Sequence, residues 1–161
     1  MILNVFFIIF TKKNNRNFMT VIFSKKCELA IQAVLFLSTK SEKKIYNSLD
    51  VSKELKVPKE FVSKMLQTLT ESGIIGSKKG KNGGFYLARD PKDIKIIEIV
   101  EIIDGLDVFT TCVLGFPNCS DEHPCPVHEK WGTIRDETYH MLSEESLEQL
   151  REKTLKKITS L

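Results

Sequence analysis

Three thiols and an imidazole stand close together in the order Cys112-x6-Cys119-x5-Cys125-x2-His128, among Gly115, Pro117, Pro124 and Pro126. Thiolates are the usual ligands of iron–sulfur clusters, and histidine can replace one of them. Three cysteines with one histidine are also a standard tetrahedral zinc set. The prolines and the glycine keep this stretch out of helix, so the side chains can converge on one point. The reading is a metal site, with an iron–sulfur cluster expected and zinc as the alternative. A catalytic Cys–His pair would need one thiol, not three, and no oxyanion or substrate motif accompanies it. An enzyme is therefore not expected. A disulfide scaffold would spread its cysteines through the chain, whereas here only Cys27 lies apart, in a helical pattern suited to a small packing residue. His123 and His140 read as surface residues.

A second group of chemically able residues lies further back. Lys59, Glu60, Ser63, Lys64 and Gln67 form the polar face of a segment whose apolar residues, Val62, Met65, Leu66 and Leu69, recur at helical spacing. Gln67 can pair with adenine and Glu60 can accept from cytosine, while Lys59 and Lys64 suit phosphates. Just beyond it, Lys78, Lys79 and Lys81 crowd a glycine-rich stretch, Lys78-Lys79-Gly80-Lys81-Asn82-Gly83-Gly84. Glycine permits close approach to a nucleic-acid backbone or minor groove. Charge supports a polyanionic partner. Residues 1–95 hold 18 Lys+Arg against 8 Asp+Glu, and residues 96–161 hold 6 against 13. Net charges of +10 and −7 give the halves opposite electrostatic roles, and the basic half faces duplex DNA. The alternative is a winged helix that docks protein.

The elements that must position these groups follow from periodicity. Ser24 caps a first helix running to about Ser38, with Leu29, Ala30, Ala33, Val34 and Leu37 inward. After a polar break at residues 41–44, Asn47 or Ser48 caps a short second helix with Leu49 and Leu55 inward. Val57-Pro58 interrupts it, and Pro58 opens the third helix, which Gly73 ends. Ile74–Ser77 and Phe85–Leu87 then read as two strands around a basic tip, a wing. Asp93 is expected to cap a helix bearing Ile96, Ile97, Val100 and Ile103 and stopping at Gly105. A further helix begins near Glu129 with Trp131, Ile134 and Met141 as apolar positions. Ser143 is expected to cap a last one, with Leu147, Leu150, Leu155 and Ile158 packing on this chain or a partner. The apolar run in residues 1–10 is shorter than a membrane span, and its positive charges follow it, unlike a signal peptide. Residues 1–18 therefore read as a non-structural extension, with Met19 a more ordinary start, and no membrane partner is expected.

With both constellations in place, the chain resembles the Rrf-two family of bacterial regulators, the IscR and NsrR type, over about residues 19–157. The most specific pieces are SKKCELAIQAV at 24–34, the wing GIIGSKKGKNGGFYLARD at 73–90, and CPVHEKW at 125–131. The resemblance implies a mainly α fold with a small β-wing: a winged helix-turn-helix at 19–105, a cluster-binding loop at 106–128 and dimerisation helices at 129–161. It implies a cytoplasmic homodimer that regulates promoters through double-stranded DNA, a two-fold dimer binding two half-sites. Cys112, Cys119 and Cys125 match the three cysteine ligands. His128 matches the histidine that completes a two-iron (2Fe-2S) cluster in one branch. Glu28 matches the position of a partner-subunit carboxylate in the nitric-oxide-sensing branch, so the fourth ligand stays open. The six-residue gap between the first two cysteines is longer than the five of several members, which leaves 4Fe-4S as the other cluster type. Redox state, nitric oxide or iron–sulfur status is then the expected signal. The remaining readings are a zinc-binding winged-helix regulator and a cluster-carrying protein-interaction module.

Overall fold

The computed structural model describes residues 22–39 and 45–159. The expected N-terminal extension, Met19 and the polar break at 41–44 lie outside these residues, as does the side chain of Ile158. Six helices and one two-stranded sheet follow in order. Helix α1 is Lys25–Ser38, α2 Ser48–Leu55 and α3 Lys59–Glu71; strands β1 Ile75–Lys78 and β2 Gly84–Leu87 come next, then α4 Ile96–Asp104, α5 His128–Glu144 and α6 Leu147–Thr159. Single 3-10 turns occupy Pro91–Asp93 and Asp107–Phe109. The chain is thus mainly helical with a small β-wing.

The first three helices start where their caps dictate. Ser24 Oγ accepts from the Cys27 N–H, satisfying one orphan donor of α1. Asn47 and Asp50 close a reciprocal capping box on α2, Asn47 Oδ1 accepting from Leu49 and Asp50 while Asp50 returns a bond to the Asn47 N–H. That phase buries Val51 and Leu55, four residues apart, and turns Leu49 to the opposite side, 44% exposed. Leu49 is therefore not the inward residue expected; Val51 is. Lys56 closes α2 in the left-handed region at φ 55°. Pro58 stands at the N-cap position of α3 rather than inside it. The two helices pack tightly, and Val62, Met65, Leu66 and Leu69 of α3 are wholly enclosed.

The wing pairs antiparallel in the register Ile75–Leu87 to Lys78–Gly84; the first strand lies one residue later than the run expected, and the second begins one residue earlier and ends at the same Leu87. Tyr46 adds a third rung on the other edge of β2, its N–H donating to the Phe85 carbonyl at 2.9 Å and the Phe85 N–H returning to the Tyr46 carbonyl at 2.8 Å. The ring of Tyr46 stacks edge-on against Phe36, 4.9 Å between centroids, which ties the sheet to α1. On the exit side, Arg89 donates to Glu98 at 2.5 Å and to the Asp93 carbonyl, fastening the wing to α4.

Asp93 does not cap α4. It ends the 3-10 turn capped by Asp90, and α4 begins three residues later with Glu98 accepting from the Lys95 N–H at 2.7 Å. Ser143 likewise lies inside α5, its hydroxyl donating back to the Tyr139 carbonyl. The cap of α6 is Ser146, which exchanges bonds with Gln149. The corner between α5 and α6 docks on the start of α4, Leu147 N–H donating to Ile94 and Ile96 N–H to Glu145. Leu147 is fully buried, Leu150 packs against the core, and Arg151 reaches the Ser38 carbonyl. The last helix therefore packs on α1 of its own chain. Ile134 and Met141 of α5, at 50% and 59% exposure, stay outside the core.

Candidate metal centre and nucleic-acid interface

The cysteine loop is shaped by short backbone turns rather than by regular structure. Cys112 carbonyl accepts from Gly115 at 3.0 Å, Ser120 and His123 exchange backbone bonds, and Cys125 carbonyl accepts from His128 at 3.0 Å. Asn118 takes a left-handed conformation at φ 62° just before Cys119, a turn that asparagine tolerates. At the far end Trp131, in the first turn of α5, donates its Nε1 hydrogen to the Thr111 carbonyl at 3.1 Å and pins the helix to the start of the loop. These constraints bring residues thirteen positions apart into contact.

All three Sγ atoms, of Cys112, Cys119 and Cys125, lie within 4.8 Å of one another. Cys112 and Cys125 are 3.7 Å apart, close to the roughly 3.8 Å edge of a tetrahedron with metal–sulfur bonds of about 2.3 Å. His128 Nδ1 is 3.1 Å from Cys119 Sγ, and its Nε2 faces Asp121 Oδ1 at 2.9 Å. A carboxylate on one ring nitrogen holds the proton there and leaves the lone pair of the other free to ligate a metal. The three thiols are free and, with Thr110, His128, Trp131 and Arg135, line one pocket. Soft donors at these separations fit a metal or an iron–sulfur cluster.

The thiols are not equivalent. The backbone N–H of Phe116, aided by that of Leu114 and the two neighbouring thiols, lowers Cys112 to about 7 against an opposing desolvation. Cys119 moves upward, because partial burial and the sulfurs of Cys125 and Cys112 outweigh the backbone N–H of Cys125. Cys112 is thus the first of the pair to become a ligand-competent thiolate.

The four ligand candidates of the sequence, Cys112, Cys119, Cys125 and His128, lie in one neighbourhood, and His123 and His140 are exposed. Glu28 is not part of the group within one chain; it sits in the first turn of α1, ion-paired to Lys25 at 2.5 Å. Two residues escaped that reasoning. Asp121 orients His128, and the only hint in the sequence was an acid two positions after a cysteine. Arg135 reaches the pocket from one helical turn beyond Trp131, and no motif marks it.

The second site is a surface. Lys59, Glu60, Lys64 and Gln67 of α3 are exposed, and Ser63 is half-buried. Lys78, Lys79 and Lys81 are exposed at the wing. Gly80–Gly83 turns the chain, the Gly83 N–H donating to the Gly80 carbonyl at 2.9 Å, with Gly80 at φ 110°, a conformation that glycine adopts freely. Helix-turn-helix and wing together form a winged helix. No described helix is long and apolar enough to cross a membrane.

Known proteins share the fold. Residues 23–153 match the family model Rrf2, described as an iron-dependent transcriptional regulator. The chain is 25% identical over 127 residues to the HTH-type transcriptional regulator IscR of Photorhabdus laumondii, covering 79% of this chain and 77% of that one. Among solved structures it superposes on CymR, the global cysteine regulator of B. subtilis, with a TM-score of 0.67 and 21% identity, over 81% of this chain and 95% of that one. It superposes on T. potens IscR with a TM-score of 0.63 and 18% identity, over 81% and 85%. At these identities the solved structures establish the winged-helix fold alone, and the family model establishes the rest: this chain belongs to the Rrf2 family of transcriptional regulators.

Proposed function

We propose that the chain regulates promoters as a cytoplasmic homodimer whose affinity for duplex DNA is set by an iron–sulfur cluster, of the 2Fe-2S type, held by Cys112, Cys119, Cys125 and a fourth ligand. The observation that carries this reading is the convergence of three thiols within 4.8 Å, with His128 Nδ1 3.1 Å from Cys119, on a winged-helix chain. The ligand atoms fall into two close pairs, Cys112 with Cys125 and Cys119 with His128. Two pairs suit two metal atoms. His128 is the fourth ligand within one chain, and Glu28 of a second copy is the alternative. When bound, such a cluster supplies a centre that responds to redox state or nitric oxide.

The division of labour follows the charge. Residues 19–105 bind DNA, residues 106–128 hold the cluster and residues 129–161 join two copies. Gln67, Glu60 and Ser63 face base edges from α3. Lys59 and Lys64 hold phosphates, and Lys78, Lys79 and Lys81 grip the backbone beside the groove. The loop leads directly into α5, so a change in ligation is transmitted to the helix that sets the spacing of two half-sites. A coupling of about 1–3 kcal/mol changes DNA affinity roughly 5–150-fold.

The test is to purify the chain without oxygen, assay iron, acid-labile sulfide and zinc, and titrate promoter DNA against wild type and Cys119→Ala. Stoichiometric iron and sulfide with a DNA affinity altered at least fivefold by the substitution is the expected result. Loss of metal with promoter affinity unchanged overturns the switch. A colourless protein holding one zinc favours the second reading, a zinc regulator, for which the compact spacing of all three thiols also speaks.

A further inference from the structure

Among the described residues Arg135 is the one Lys or Arg lining the cysteine pocket, and its Nε is buried without a hydrogen-bond partner. A buried donor without an acceptor is costly, so an unpartnered Nε–H beside three thiols calls for an explanation. The local helix geometry supplies one half of it. Side chains on a helix lean toward its N-terminus, and α5 begins at His128, beside Cys125. Gly132, one turn before Arg135, has no side chain to block the way: a Cβ built there would have the Arg135 Nη2 as its nearest neighbour, at 4.0 Å. The arginine thus folds back over a bare stretch of helix into the pocket. The other half is charge. Three thiolates place three negative charges in a half-buried site, His128 adds none when neutral, and Asp121 adds one more through its bond to His128. The acidic C-terminal half offers little to offset them.

Resting on the cluster reading above, we propose that Arg135 is a positioning residue for the metal centre, its guanidinium donating to a sulfur of the ligated site and compensating its negative charge. Reduction adds one electron from an external low-potential donor, with no bond made or broken and the guanidinium keeping its proton. A fixed positive charge and an N–H donor at the sulfurs both favour the more negative state. Arg135 therefore raises the midpoint potential. Its removal makes reduction harder.

The experiment uses the full chain, loaded without oxygen. Midpoint potentials are read by visible absorption in a mediated dithionite titration for wild type, Arg135→Met, Arg135→Gln and Arg135→Lys, with iron, sulfide and melting temperature measured alongside. The neutral variants are expected to shift the oxidised-to-reduced ratio about tenfold at fixed potential, a fall of about 59 mV for one electron. Arg135→Lys keeps the charge and is expected to retain more than half of that difference. Should the neutral variants lose iron and sulfide while Arg135→Lys keeps them, the charge role stands. Potentials of all variants equal to wild type overturn the proposal, and so does an equal loss of cluster and melting temperature in all three. A wild-type protein with zinc and no sulfide overturns the cluster reading itself and this inference with it. Wild type with sulfide and unmoved potentials overturns Arg135 alone.

Discussion

Cys27 and Cys112 carry the same thiol in opposite surroundings. Burial, then the nearby charges of Asp104 and Glu28, push Cys27 from 9.0 up to about 12, while backbone N–H groups draw Cys112 down to about 7. The metal-free protein at pH 7.5 is expected to be alkylated by iodoacetamide first at Cys112 and not at Cys27 until it unfolds; peptide mass mapping over time checks the order. The Cys27 shift also has a consequence for stability. The native state keeps the proton between pH 9 and 12 whereas the unfolded chain releases it. This contribution is present in full below pH 9 and is lost as pH rises toward 12, at about 1.4 kcal/mol per pH unit. Comparing urea midpoints of wild type and Cys27→Ala at several pH values from 8 to 10.5 reads it, and the wild type is expected to fall more steeply above pH 9.

At the level of elements, the wing depends on close approaches of backbone to its glycines. A Cβ at Gly84 would sit 2.4 Å from the Tyr46 carbonyl oxygen, an atom of backbone that cannot swing away. Gly84→Ala is expected to break the Tyr46–Phe85 rung and destabilise the protein by about 1–3 kcal/mol, seen as a lower melting temperature. The basic residues at the tip are different, because their side chains are exposed. Replacing Lys78, Lys79 and Lys81 with alanine is expected to leave the melting temperature unchanged and to reduce the slope of log affinity against log salt on duplex DNA. Each phosphate contact removed lowers that slope by about 0.9. An unchanged slope would place the wing away from the phosphates.

At the scale of the whole molecule, the most exposed large apolar side chains among the described residues are found on α5 and the cysteine loop. Ile134 and Met141 lie two turns apart on one side of α5, at 50% and 59% exposure, and Leu114 and Phe116 of the loop are exposed at 52% and 54%. Exposed large side chains in this number mark an interaction surface. Met141→Glu together with Ile134→Glu is expected to turn the proposed dimer into a monomer in sedimentation velocity, with the far-ultraviolet circular dichroism unchanged because neither residue supports the core. A pair of variants that sediments like wild type would move the dimer contact elsewhere.

Much of the chain was legible because the signals are local. Ser24 and Asn47 start helices wherever they precede an apolar stripe, since capping needs only a backbone N–H two or three residues on. The winged helix and the neighbourhood of Cys112, Cys119, Cys125 and His128 followed from such signals, and from spacing. What stayed hidden depends on partners far along the chain. Leu49 turned outward and Val51 inward because the face of α2 that meets α3 is chosen by packing, not by hydrophobicity alone. Asp93 and Ser143 are both good capping residues, yet α4 begins later and α5 ends later because the Ile94–Leu147 and Ile96–Glu145 bonds dock the α5–α6 corner on α4. Tyr46 joined the wing across 39 residues, and Arg135 reached the thiols from a helix that no motif distinguishes. Sequence alone determined which residues could cap, turn, ligate or bind phosphate, because those are properties of each side chain and its near neighbours. The tertiary structure alone decided which of them meet, because two groups distant in sequence are brought within bonding distance only when the buried faces between them have packed.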